Sequence, residues 1–305
     1  MKKIFLFGLI GIVAFTSCTK SDDGNGGVGT SGGPQITNTT FATNHSAGSK
    51  IGGYKLDSGS IKIPVAGTNL SFNYDTVTKR GNWSDTFKTP LNTADFSTAT
   101  YMTGVNQQLL GQNISLNQYF QVSSSSWLNL GNYMGTALNA PIPTIGSISV
   151  PVQAAKQNPA LILANFPVSY GDSIAQTSTN VVTAKVTAST TISGFPVNLN
   201  NETLTITQTT TVASKNICWG TLTLKDYTGS MQVVVQKYTT SIKTDLAFPN
   251  NPLYNAAISA FLSSGNLGIT NGQVITQTSY RFWAAGKGLV MTLNADGTAN
   301  VTTGL

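Results

Sequence analysis

Charge is scarce in this chain. Lys, Arg, Asp and Glu make up 9% of its 305 residues, against the usual quarter. The net charge is +6, but Lys2 and Lys3 sit at the extreme start and the remaining lysines are scattered. No basic stripe interleaves with aromatics, so no nucleic-acid partner is expected. Cysteine is scarcer still: there are two, Cys18 and Cys218. If Cys18 is committed elsewhere, no intramolecular disulfide is available, and a core of this size does not need one. Cys218 lies in an apolar strand pattern and reads as a small buried hydrophobe. There is one histidine, His45. A histidine-rich zinc site therefore fails on ligand count. A Ser-His-Asp triad needs its imidazole on a rigid scaffold, whereas His45 follows a Gly-rich run in a polar segment. No catalytic residue, metal or cofactor is expected.

The start of the chain is informative. Met1-Lys2-Lys3 precedes an apolar run from Ile4 to Phe15, then Thr16-Ser17-Cys18. A membrane-spanning helix needs about 20 apolar residues, and this run is shorter. A charged start, a short apolar stretch, small residues and a cysteine are the layout of a bacterial lipoprotein signal. Residues 1–17 read as the signal peptide, and Cys18 as the lipidated first residue of the mature chain. Each buried acyl CH₂ contributes about 0.8 kcal/mol to membrane binding, so several chains on one thiol would anchor the protein firmly.

Thr19-Lys20-Ser21-Asp22-Asp23 follows. Lys20 with Asp22 and Asp23 resembles the charged export signal of surface-exposed lipoproteins of Bacteroidetes. Residues 18–40 read as a flexible Gly/Ser-rich tether. Gly29 to Gly33 fits the G-x-S-x-G pattern, but no strand precedes it, so the hydrolase reading is discarded.

Residues 41–305 read as a β-rich body, with a sub-division near 165 as one option. Thr, Ser, Asn and Gly take the place of charge, as in extracellular β proteins. Period-two alternation is clearest over Val181–Thr190, Glu202–Val212, Ile217–Leu224 and Ser230–Tyr238. Lys225 to Gly229 reads as a hairpin loop. Thr276–Ala285, Gly288–Asn294 and Ala299–Thr303 continue the meander. Earlier strands are expected at Ile51–Tyr54, Ser60–Val65, Leu70–Val77 and Asn113–Val122, with breaks at Pro90 and Ala140–Pro143. Apolar residues at 253, 254, 257, 258, 261 and 262 predict one packed helix near 252–264. The expected fold is mainly β, an antiparallel β-sandwich or open barrel-like sheets.

Several segments in order are similar to a family of uncharacterised secreted and lipid-anchored β proteins of Bacteroidetes. They are Tyr119-Phe120, Leu128-Asn129-Leu130-Gly131, Phe166-Pro167-Val168-Ser169-Tyr170-Gly171-Asp172, Trp219-Gly220-Thr221-Leu222, Gln232–Lys237 and Tyr280-Arg281-Phe282-Trp283. The resemblance spans roughly residues 70–295 and implies fold and address, not an activity. Ile217-Cys218 replaces the family's Asp-Gly, and Gly288 stands where a proline is usual. Asp75-Thr76-Val77 and Asp172-Ser173-Ile174 resemble the Bacteroidetes O-glycosylation sequon, which requires Thr76 and Ser173 to be exposed.

The address implied is the outer membrane, lipid-anchored through Cys18, with the body at the cell surface. Three functions compete. The first is a non-catalytic binding or adhesion module for a glycan or protein, with Trp83 and Trp127 as a sugar platform. The second is a periplasm-facing envelope-maintenance protein that holds a lipid or partner, which a large apolar cavity would favour. The third is a hydrolase, which needs two carboxylates facing across a cleft. The body's acids are Asp57, Asp75, Asp85, Asp95, Asp172, Glu202, Asp226, Asp245 and Asp296. Most stand at turn-like positions, where Asp bonds local backbone. Asn294 to Gly297 could offer oxygens to calcium, but a hairpin turn explains it better.

Overall fold

A computed structural model describes residues 33–57, 61–109, 112–142, 146–192, 195–251, 254–255 and 271–303. Among these, one short helix, α1 (Thr39–Asn44), precedes fifteen strands. In chain order they are β1 (Lys50–Leu56), β2 (Gly67–Asn73), β3 (Lys79–Thr86), β4 (Tyr101–Leu109), β5 (Gln112–Val122), β6 (Ser126–Met134), β7 (Leu138–Ile142) and β8 (Gly146–Val150). β9 (Gln153–Asn165), β10 (Ser173–Ile192), β11 (Phe195–Thr223), β12 (Ser230–Ala247), β13 (Gln273–Ala284), β14 (Gly288–Asn294) and β15 (Ala299–Thr303) complete the set.

All fifteen belong to one sheet, ordered β3-β1-β15-β14-β13-β12-β11-β10-β9-β6-β5-β4, with β2 on β11 and the β7–β8 hairpin on β10. Pairing is antiparallel except between β2 and β11. The two ends of this path meet: Lys88, just past β3, exchanges both backbone hydrogen bonds with Met102 of β4, at 2.8 and 2.9 Å. The sheet is thus nearly closed into a barrel. Of the two expected architectures, the barrel-like one is observed.

β10 and β11 are paired from Ser173–Lys215 to Ile192–Phe195. Along β10, Val182, Ala184, Val186 and Ala188 are buried, while Thr183, Lys185 and Thr187 are exposed. The buried set packs with Leu199, Leu204, Leu116, Met134, Ile148 and Phe248 as an apolar core at the far end. A second core lies on the opposite face of the sheet. There Phe282, Met291 and Val301 face Phe72, Tyr74 and Val77 from the segment containing β2. A bulge between Asn216 and Cys218 lets β11 serve both faces. Asn216 pairs with Gln236, and Cys218 joins Val233 and Val235 in the second core. Gly220 is required for this arrangement: a Cβ there would lie 1.9 Å from the Leu70 carbonyl oxygen. β2 can reach β11 because that position has no side chain.

Several local expectations change. The segment 61–65 carries no strand, although Ile61 is buried. Ala140-Pro141, read as a break, lies within β7, where Pro141 faces Ser147. Of the tether expected over 18–40, the final residues belong to the fold: Ile36 is buried and exchanges backbone bonds with Val168 at 3.0 and 2.8 Å. The helix expected near 252–264 lies outside the described residues apart from Tyr254 and Asn255, which are helical. Tyr254 meets Phe248 edge-on, and Asn255 Oδ1 accepts the Phe248 N–H at 2.7 Å. Residue 165 ends β9. Side chains from both sides of it share a core: Tyr101, Phe120 and Leu161 pack with Val212 and Tyr238.

Candidate ligand-binding cavity

A cavity of about 750 Å³ lies between the walls of the barrel. That is within the usual range for small-molecule sites. One wall comes from β12 to β15 and β1, the other from β5, β6 and β9. Phe120, Trp127, Leu161, Leu163 and Leu289 give its apolar surface. Gln118, Asn129, Thr240, Gln277 and Ser279 give its amides and hydroxyls. The exposed residues Lys55, Arg80 and Asn300 mark its rim.

Strand parity explains the mixed lining. Along β13, Gln277, Ser279 and Arg281 share one face; across the sheet they stand opposite Thr240, Tyr238 and Gln236. Along β5, Leu116, Gln118 and Phe120 point the same way. Leu116 belongs to the far core, Phe120 to the aromatic cluster, and Gln118 falls between them. On β10, Ser178 and Asn180 sit between Ile174 and Val182 in the same manner. A polar belt thus crosses the barrel interior between two apolar layers. Ser178 donates to Gln157 Oε1 at 2.6 Å within it. Both polar atoms of the Asn180 side chain, 2% exposed, are without a hydrogen-bond partner among the described residues.

Gly131 aims one belt residue. Its φ is +133°, and a Cβ would come within 2.3 Å of the Ala155 carbonyl oxygen. β6 shifts register against β9 between Asn129 and Gly131. Asn129 Oδ1 accepts the Gly131 N–H at 2.8 Å, and the side chain lines the cavity.

Arg281 is the charged group deepest in this site. Its Nη1 donates to the Leu163 carbonyl at 2.7 Å. The guanidinium lies 3.8 Å from the centre of the Tyr238 ring and 5.5 Å from that of Trp127. Burial lowers its proton affinity, and the adjacent Tyr238 works against that. Burial raises Tyr238, with Arg281 opposing. No carboxylate lies within ion-pair distance of Arg281 among the described residues.

The expected site residues fall as follows. Cys18, Lys20, Asp22 and Asp23 lie outside the described residues. Trp127 lines the cavity, and its Nε1 donates to the Tyr101 hydroxyl at 3.0 Å. Trp83 is half-buried on β3, donates to the Val301 carbonyl at 3.0 Å and does not line the cavity. The two indoles therefore do not share one surface. Thr76 is exposed in the turn after β2, and Ser173 is exposed at the start of β10. Cys218 is fully buried, and burial pushes its thiol up to about 12.

His45 differs from its polar sequence neighbourhood. It is 6% exposed, stacked 3.8 Å from Phe41 and 4.8 Å from Phe87, and burial brings it down to about 4. Its Nδ1 bonds the Phe41 carbonyl at 3.0 Å. It is a neutral packing group without a carboxylate partner among the described residues.

Six of the acids are occupied locally. Asp57 meets Arg80 at 3.4 Å, Asp95 meets Lys156 at 2.8 Å, and Asp245 meets Lys243 at 2.9 Å. Asp226 accepts Lys79 at 2.6 Å. Asp172 and Asp296 bond turn backbone at Ser169 and Thr298. None of them lines the cavity. No cluster of three His, Cys, Asp or Glu that could hold a metal occurs among the described residues.

The residues that sequence reasoning missed are Arg281, Tyr238 and the amide belt. A signal was present: in Tyr280-Arg281-Phe282-Trp283 a cation stands among three aromatics, on the same strand parity as buried Trp283. Comparison of the chain with family models, with curated proteins and with solved structures finds no match.

Proposed function

We propose that this protein is a lipid-anchored envelope lipoprotein whose β body is a non-catalytic binding module, with the barrel cavity as its ligand site. The observation that carries the reading is the cavity itself: about 750 Å³, walled by aromatics, amides and hydroxyls, with no carboxylate in its described lining. That lining suits recognition and lacks the acid pair a glycosidase would need. Anchorage through Cys18, surface export through Lys20, Asp22 and Asp23, and kinship with the Bacteroidetes β proteins rest on the sequence pattern. The outward faces of β10 and β11 support an aqueous setting for the body. They carry Thr177, Thr179, Thr183, Thr209 and Thr211, where a membrane barrel presents an apolar band to lipid.

Binding is tested on the full chain in lipid nanodiscs, titrated with neutral and acidic oligosaccharides and with fatty acids. Ser279→Phe, which projects a ring into the cavity, abolishes the response if the reading is right. A response that survives Ser279→Phe puts the ligand elsewhere. The address is tested by protease shaving of intact cells. Digestion of the wild type, with protection of a Lys20/Asp22/Asp23→Ala variant, is the surface outcome. Protection of the wild type beside a digested permeabilised control favours the periplasm-facing alternative.

A further inference from the structure

The cavity has a sign. Its described lining holds Lys55, Arg80 and Arg281, and neither Asp nor Glu. The rim cations are exposed, and Arg80 is answered by Asp57 at 3.4 Å. Arg281 is different, because no ion pair answers it among the described residues. A guanidinium offers five N–H donors. One goes to the Leu163 carbonyl and the Tyr238 hydroxyl engages the group as well, which leaves donors to spare beside the cavity.

Arg281 is partly buried, and drawing a cation away from bulk water without a counter-ion is costly. Tyr238 and Trp127 offset part of that cost through their ring faces, and they also hold the fork of donors in place. A fixed guanidinium between two aromatic rings suits bidentate capture of a carboxylate or sulfate.

The rest of the lining narrows the body of the ligand. A long acyl chain calls for a continuous apolar tube. Here the apolar side chains Phe120, Leu161 and Leu163 give way to Gln118, Thr240 and Gln277 toward the far core. Amides and hydroxyls at that depth match hydroxyl groups. We infer that the cavity takes an acidic saccharide, one carrying a carboxylate or sulfate, and that Arg281 receives its acid group. This rests on the cavity being the ligand site, as proposed above.

The probes are trigalacturonate, its fully methyl-esterified form and dodecanoate, titrated by calorimetry into the full chain in nanodiscs. The expected result is that trigalacturonate binds and Ser279→Phe abolishes binding. Loss of a charge-assisted hydrogen-bond pair weakens binding by roughly tenfold to a hundredfold. Esterification and Arg281→Gln should each produce a loss of that size. Arg281→Lys keeps the charge without the fork and should fall between Gln and wild type, which separates lost recognition from lost folding. Affinity should also decline with added salt in the wild type and hardly change in Arg281→Gln.

Acid and ester binding alike, with Arg281→Gln indifferent and Ser279→Phe still blocking, overturns the inference and leaves the cavity reading intact. Dodecanoate binding in place of trigalacturonate, still blocked by Ser279→Phe, overturns the saccharide class while the cavity stands. Trigalacturonate binding unaffected by Ser279→Phe overturns both.

Discussion

The two ends of the barrel follow different rules. At the far end, β7, β8, β10 and β11 present apolar side chains inward and mostly hydroxyls, amides or lysines outward, in alternation. At the cavity end, β12 to β15 are covered on both faces: Val233, Val234, Val235 and Gln236 are all buried in succession. One face of that segment serves the second core, and the other packs Val234 with Phe41, Phe166 and Trp283. A sheet with one wet face declares itself by alternation. A sheet buried on both sides does not, and it has room for polar groups whose purpose lies inside.

Substitutions can separate the two ends. The largest effect is expected at Trp283, fully buried, which touches Phe41, Phe166 and Trp127 and donates to Gln236 Oε1 at 3.2 Å. Trp283→Ala should cost about 3–5 kcal/mol in denaturant unfolding and weaken ligand binding too, because Trp127 loses its support. Leu204→Ala, in the far core, should cost about 2–5 kcal/mol while leaving ligand titrations unchanged. If it alters them, the ends are coupled and the comparison breaks.

His45 sharpens the contrast through pH. Its folded value of about 4 lies below the ordinary 6.5, so between those values the unfolded chain binds a proton that the folded chain excludes. Its contribution is fully present above about pH 6.5 and is lost as pH falls toward 4, by up to about 3 kcal/mol. The falling limb between pH 6.5 and 5 should flatten in His45→Phe, measured by melting temperature. A slope unchanged in that variant would mean that other groups cause it.

Gly220→Ala should displace β2 and cost about 1–3 kcal/mol as an overpacked contact. Faster amide exchange should follow in 67–73 and stay absent from β10. The smallest effect belongs to the outer face of β10 and β11, level with the polar belt. Thr177→Ala with Thr211→Ala removes a hydroxyl contact of 3.4 Å and should change stability by less than about 0.5 kcal/mol.

The same contrast explains what the sequence disclosed. β14 and β15 occur with the expected bounds, and the expected hairpin loop at 225–229 separates β11 from β12. β10 and β11 were visible as alternation, though each runs longer than the legible part. β9 was missed because Pro159 interrupts its pattern, and β6 because its register shifts spoil the period. β3, with the sequence KRGNWSDT, carries little apolar signal because it lies at the end of the sheet path. α1 has no side-chain cap and buries Phe41 alone, so nothing local announced it. Of the cavity, Trp127 was picked out for its ring. Arg281 was in view within an aromatic motif, but its meaning depends on Leu163, distant in sequence by 118 residues.

The pairing of β1 with β15, Gly53 opposite Thr302, has a kinetic consequence. The first strand finds one neighbour locally in β3 and the other in β15, where Gly52 and its partner Thr303 are 251 residues apart. Contacts of such sequence separation close late. During synthesis, which proceeds from the N-terminus, one edge of β1 stays open until β15 emerges. Completion of this barrel is therefore timed by β15, and a chain stopped before residue 299 would be left with a bare strand edge able to pair with its copies.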